Sequence, residues 1–71
     1  MNGQQLRALF ARKKRGEHFV YHVGLLMRDR LYNIDVESVA ATAFQLYSSR
    51  RGVLFQRRVD QQNCQYLIYK L

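Results

Sequence analysis

Apolar residues recur along this chain first at helical spacing and then at strand spacing. Leu6, Leu9, Phe10 and Lys13 fall at i, i+3, i+4 and i+7, one stripe of a helix, with Asn2 placed to cap it and Gly16 to stop it. Glu17 to Tyr21 is short and rich in Phe, Val and Tyr, and reads either as a brief strand pairing with the C-terminal ribbon or as the opening turn of the next helix. His22 to Tyr32 predicts that helix, with Val23, Leu26, Met27 and Arg30 or Leu31 as its stripe and Gly24 weakening it by about 1 kcal/mol relative to alanine.

A turn follows at Asn33-Ile34-Asp35. Asn33 suits a left-handed helix end, Ile34 is expected to point inward, and Asp35 is expected to cap a longer helix over about 35–50. Val36, Val39, Ala40, Ala43, Leu46 and Tyr47 share one face of it. Glu37, Ser38, Ala41, Thr42, Gln45 and Ser49 share the other, which is small, polar and uncharged past its first turn. After Gly52 the period changes to two. Val53 to Val59 and Cys64 to Leu71 predict two strands, and the link Asp60 to Asn63 has the length of a hairpin loop. The expectation is one α+β domain over residues 1–71, with three helices, a C-terminal two-stranded hairpin and a short third strand near residues 17–21.

Composition narrows the function. Twelve Lys and Arg, most of them Arg, stand against five Asp and Glu, for a net charge of +7. Such an excess calls for an acidic partner, and the planar guanidinium suits phosphate and guanine edges. A chain with 48% apolar residues can build a core, unlike a disordered polycation. A domain of this size buries only about 60% of its unfolded surface, so its stability is modest. A single cysteine forms no internal disulfide. Arg7, Arg12, Lys13 and Lys14 interrupt any leader-like apolar run, and no stretch reaches the roughly 20 apolar residues of a membrane span, so a cytoplasmic protein without membrane contact is expected.

Catalytic chemistry finds no support in the residues. His18 and His22 are four apart, a zinc spacing on a helix, but no Cys-x-x-Cys or paired carboxylate completes four ligands. Cys64 sits in an apolar strand and reads as packing. Asp29, Asp35 and Asp60 are scattered, and no glycine-rich phosphate loop is present. Neither an enzyme, a metal nor a cofactor is expected.

The tract Leu31 to Leu71 resembles the core of winged helix-turn-helix domains. Asn33, Ile34 and Asp35 match the turn, and Val39, Ala43 and Leu46 the inward positions of the recognition helix. Gly52 with Val53 and Leu54, Arg57 and Arg58, the turn Asp60 to Asn63 and the tyrosine-rich Tyr66 to Leu71 match the wing. The glycine falls one or two residues later than in that pattern. Small lambdoid-phage proteins share this size and order, which implies a phage or prophage origin.

The resemblance implies a small transcriptional regulator that binds double-stranded DNA, with the helix over about 35–50 in the major groove and the wing over about 53–71 on the backbone. Base reading then falls to Ser38, Thr42 and Gln45, with Ala41 against a thymine methyl. Backbone contacts fall to Arg50, Arg51, Arg57, Arg58 and Gln61, and to Lys13 and Lys14 in the first helix's basic run, which otherwise only offsets that helix's dipole. The same charge also fits a protein-interaction module docking an acidic host protein. A third reading has RNA or single strands stacking on Phe55, Tyr66 and Tyr69, residues that also suit a core. A homodimer is compatible with the pattern, through the first helix or a ribbon edge.

Overall fold

The Asn2 carboxamide accepts the Gln5 backbone N–H at 2.9 Å, while the Gln5 side chain accepts the Asn2 N–H at 2.9 Å. This reciprocal box starts α1 (Gly3–Arg12), whose Leu6 and Phe10 are buried. The computed structural model describes all of residues 1–71. After α1 come β1 (His18–Gly24), α2 (Leu26–Tyr32), α3 (Ile34–Ser48), β2 (Gly52–Arg58) and β3 (Cys64–Lys70). The result is an α+β domain of three helices and one antiparallel sheet in the order β1-β3-β2. No helix is long and apolar enough to cross a membrane.

The hairpin forms as its alternation predicts. Leu54 lies opposite Ile68 and Arg58 opposite Cys64. The Asp60 carboxylate accepts the Gln62 and Asn63 N–H groups at 2.8 and 2.9 Å, which closes the tip and holds that carboxyl below its usual range. The third strand is longer than expected. His22 pairs with Tyr66 and Gly24 with Cys64, so residues 22–24 are strand where a helix was predicted. Their partners lie some forty residues away, beyond the reach of local periodicity. Gly24 takes φ +138, and helix starts only after it.

The junction between α2 and α3 also differs from expectation. Asn33, not Asp35, caps α3: its side chain accepts the Asp35 and Val36 N–H groups at 2.9 and 3.2 Å, from an extended rather than left-handed backbone. With one residue serving both helices, Ile34 is carried outward to 85% exposure instead of pinning the turn. Gly52 does not stop α3. Left-handed Arg50 (φ 62) does, with the Arg51 N–H on the Leu46 carbonyl at 2.9 Å and the Arg50 N–H on that of Tyr47 at 3.0 Å. Gly52 lies in β2, where a Cβ would meet Ile68 Cδ1 at 3.1 Å and the Tyr69 carbonyl at 3.2 Å.

The helices cover one face of the sheet. Leu6 and Phe10, Val39, Ala43 and Leu46, Tyr21 and Ile68 form the core, with Phe19, Leu26, Leu54 and Tyr66 at its edge. Burial from solvent, followed by the neighbouring Tyr66, pushes the Tyr21 phenol up to about 12. The N-terminus of α1 approaches α3 closely, and the Gly3 N–H donates to Ser38 Oγ at 2.9 Å. A Cβ on Gly3 would fall 2.2 Å from Thr42 Oγ1 and 2.7 Å from the Ser38 carbonyl oxygen, so backbone must move to admit it. Gly3→Ala is therefore expected to destabilise the fold by about 1–3 kcal/mol despite alanine's better helix propensity, measured by urea denaturation.

Candidate nucleic-acid interface

Five elements meet at one end of the sheet. The Gly16 N–H donates to the Lys70 carbonyl, the Lys70 N–H to that of Glu17, and the Leu71 N–H to that of Arg51. These bonds gather the end of α1, the start of β1, the end of α3, the start of β2 and the end of β3. Between them lies a cleft of about 500 Å³ lined by Arg7, Arg15, Arg50, Arg51 and Lys70 over Phe10, Ala11, Leu46 and Leu71. No acidic side chain lines it.

The five cations divide by what already holds them. Lys70 Nζ donates to the Phe10 and Ala11 carbonyls at 3.2 and 3.3 Å and lies over the Phe10 ring. It thus satisfies the open end of α1 and takes the part first assigned to that helix's own basic run. Arg7 donates to Gln45 Oε1 at 2.9 Å, and Arg51 Nε to Ser49 Oγ at 3.2 Å. Arg15 and Arg50 have no side-chain partner in the molecule, and none of the five forms a salt bridge. Helix capping therefore takes Lys70 alone and leaves four exposed guanidinium groups, on Arg7, Arg15, Arg50 and Arg51, of which those of Arg15 and Arg50 have no side-chain partner.

Arg50 sits in a backbone conformation that glycine adopts freely and arginine does not. Arg50→Gly is expected to stabilise the fold by about 0.5–1 kcal/mol while weakening binding of a phosphate ligand, so that urea midpoint and affinity move in opposite directions.

The remaining predicted contacts are dispersed. Arg57 Nε donates to the Gln65 side chain at 3.1 Å on the hairpin, Arg58 is exposed beside it, and Gln61 lies at the tip. Lys14 is exposed in the turn after α1, whereas Lys13 lies over the Phe19 ring, 5.6 Å from its centroid. Arg57 and Arg58 thus lie at the hairpin end, away from the cleft, and as neighbours on one strand they project to opposite faces of the sheet.

The predicted base-reading face is largely covered by α1. Thr42 is buried, Ser38 is bonded to Gly3, and Gln45, though exposed, accepts from Arg7. Small side chains at residues 38 and 42, which looked like groove-reading positions, are what allow Gly3 to approach. Ala41 stays half-open and lines an apolar groove with Phe44. The side of α3 left open carries no Lys or Arg. Its Glu37 carboxyl is lowered from its usual range by two hydrogen bonds from Arg30, at 2.6 and 2.9 Å.

The other candidate chemistries separate in space. His18 and His22 are on a strand, paired with Tyr69 and Tyr66 across a bulge and hence on opposite faces. His18 stacks on Tyr69 with centroids 4.6 Å apart, while His22 Nε2 lies 2.7 Å from Asp29 Oδ2. That hydrogen bond, with those from Arg28, holds the Asp29 carboxyl low. Nowhere do three or more His, Cys, Asp or Glu residues converge as a metal site. Tyr66 faces inward, its hydroxyl accepting the Leu26 N–H at 3.1 Å. Phe55 and Tyr69 lie on the open face of the sheet in edge contact with each other, centroids 4.7 Å apart. Cys64 is buried and its Sγ accepts from Gln56.

Sequence reasoning passed over Arg7, Arg15 and Lys70. Arg15 belonged to a basic run visible in the sequence. For Lys70 and Arg7 no local signal exists, since their partners are about sixty and forty residues away. The chain matches no known protein-family model, no curated protein and no solved structure.

Proposed function

We propose that the chain is a winged-helix protein that binds duplex DNA chiefly through its phosphate backbone, and that any regulatory role follows from occupying the duplex rather than from base reading by α3. The observation that carries this reading is the cleft of five cations without an acidic side chain, four of them free of capping and ion-pair duties. Three helices backed by a small sheet that ends in a basic hairpin, the layout the resemblance implies, support the fold part of the reading. The cleft supplies positioning contacts to phosphates, and Arg57 and Arg58 on the hairpin supply a second set. With Ser38 and Thr42 packed under α1, specificity is expected to be low and to come from duplex shape.

The test is a titration of labelled random duplex and single-stranded DNA by fluorescence anisotropy at several salt concentrations. Five neutralised phosphates give an expected log-log slope of about −4.5 on duplex, since each contributes roughly −0.9. Tighter binding to duplex with such a slope supports the proposal. Absence of binding at low salt, or a slope near zero, rejects it.

A further inference from the structure

Three rings cross the open face of the sheet, one from each strand. His18 of β1 stacks on Tyr69 of β3, with planes 22° from parallel. Phe55 of β2 meets Tyr69 from the other side, its plane turned by 67°. Tyr69 is thus half-buried between two exposed rings. The row beside them, Val20, Leu67 and Phe55, is wholly apolar. Tyr66, which the sequence offered as a stacking ring, faces inward, and His18 takes its place.

Charge says what this face suits. No Asp or Glu occurs in any of the three strands. The two acids that flank them are engaged locally: Glu17 accepts the Lys14 N–H at 2.6 Å, and Asp60 closes the hairpin tip. Alternate residues of a strand share a side of the sheet, so Arg57 stands on the open face with Phe55. Arg51, exposed at the other end of the same run, borders the cleft. Two guanidinium groups therefore bracket the rings along β2, their backbones about 20 Å apart at roughly 3.4 Å per residue. A purely apolar partner has no use for these cations. A duplex keeps its bases paired and stacked and offers none to His18 or Phe55. A single strand carries both free bases and phosphates.

We infer that the open face of the sheet binds single-stranded DNA, with bases stacked on the two outer rings, His18 and Phe55, and phosphates held by Arg51 and Arg57. Tyr69 is a positioning residue, in contact with both outer rings and closed to a base by them. The Val20, Leu67 and Phe55 row has no polar group to receive a ribose 2′-hydroxyl, which favours the deoxy strand. The site goes beyond the duplex reading. It uses aromatic faces that backbone contact leaves idle, and of the cleft residues it takes only Arg51.

Labelled oligothymidine, which cannot pair with itself, tests the inference by fluorescence anisotropy with the full chain at several salt concentrations. Two neutralised phosphates at roughly −0.7 each give an expected log-log slope of about −1.4, against about −4.5 on duplex. At about 0.5 M salt, where contacts to the cleft are screened, Phe55→Leu and His18→Ala are each expected to weaken oligothymidine binding at least about fivefold. Phe55→Leu keeps an apolar side chain and removes only the ring, whereas Phe55→Trp is expected to bind as the wild type does. Both positions are exposed, and circular dichroism checks that each variant folds. No binding of oligothymidine by the wild type at low salt overturns the inference, as does binding that Phe55→Leu and His18→Ala leave unchanged. Tighter binding of oligouridine than of oligodeoxyuridine overturns the choice of DNA. A concentration-dependent dimer in sedimentation velocity that Phe55→Leu disperses would give the face to a second copy, and overturns it too. Duplex affinity and its salt slope are expected to stay at wild-type values in these variants, so failure here is distinct from failure of the proposed function.

Discussion

Leu46→Ala is expected to remove about 3 kcal/mol, within the 2–5 kcal/mol span for deleting a buried leucine side chain. Leu46 is fully buried and belongs to the cluster that joins Leu6 and Phe10 of α1 to Ile68 of β3. Alanine leaves a void where helix, helix and sheet meet. Ile68 and Leu6, also fully buried, have no free rotamer space into which to relax. A domain of this length has roughly 4–10 kcal/mol of total stability, so the loss is a large fraction of the whole. Urea denaturation followed by far-ultraviolet circular dichroism is expected to show a midpoint lower by about 2–3 M. Phe44→Ala, on the same helix but at a 61% exposed position, is expected to move it by less than about 1 M. Equal shifts would place the load on helix propensity rather than on the core.

The elements visible in the sequence were those whose causes are local. Asn2 and Gln5 cap α1 within a single turn, and the alternation of Val53 to Arg58 faces that of Cys64 to Lys70 across a tip closed by Asp60. Local pattern failed where the deciding partner is remote. His22 and Val23 become strand because β3 pairs with them, and Ile34 swings outward because Asn33 spends its side chain on the α3 cap. The site divides in the same way. Arg50 and Arg51 were recognisable as surplus charge, but only the landing of α1 on α3 determines which polar face is covered. The polar face of α3 read as open because serine and threonine suit a DNA groove as well as they suit a close helix crossing. Gly3, thirty-five residues from Ser38, decides between the two.

Replacing Arg15, Arg50 and Arg51 together with glutamine is expected to weaken duplex binding by about 500-fold at about 0.1 M salt. These three are chosen because the structure gives them the least to do. Arg7 holds Gln45 and Lys70 holds the end of α1, so changing those would confound binding with folding. Each lost phosphate contact removes roughly 0.9 from the log-log salt slope, so three remove about 2.7 and move it from about −4.5 to about −1.8. The same term sets the affinity loss, about 2.7 decades at 0.1 M salt and less than one decade at about 0.5 M. The loss must therefore shrink as salt rises. A deficit that stayed constant with salt would mean the three arginines act through shape or hydrogen bonding instead of charge. Glutamine retains a polar side chain at these exposed positions, and the unchanged Lys70 contacts keep β3 tied to α1, so the urea midpoint should stay near that of the wild type. Arg57→Gln with Arg58→Gln provides the comparison at the hairpin. If the cleft is the principal site, that pair costs less than the triple variant. If the hairpin costs more, the main backbone contact lies on the hairpin and the cleft is secondary.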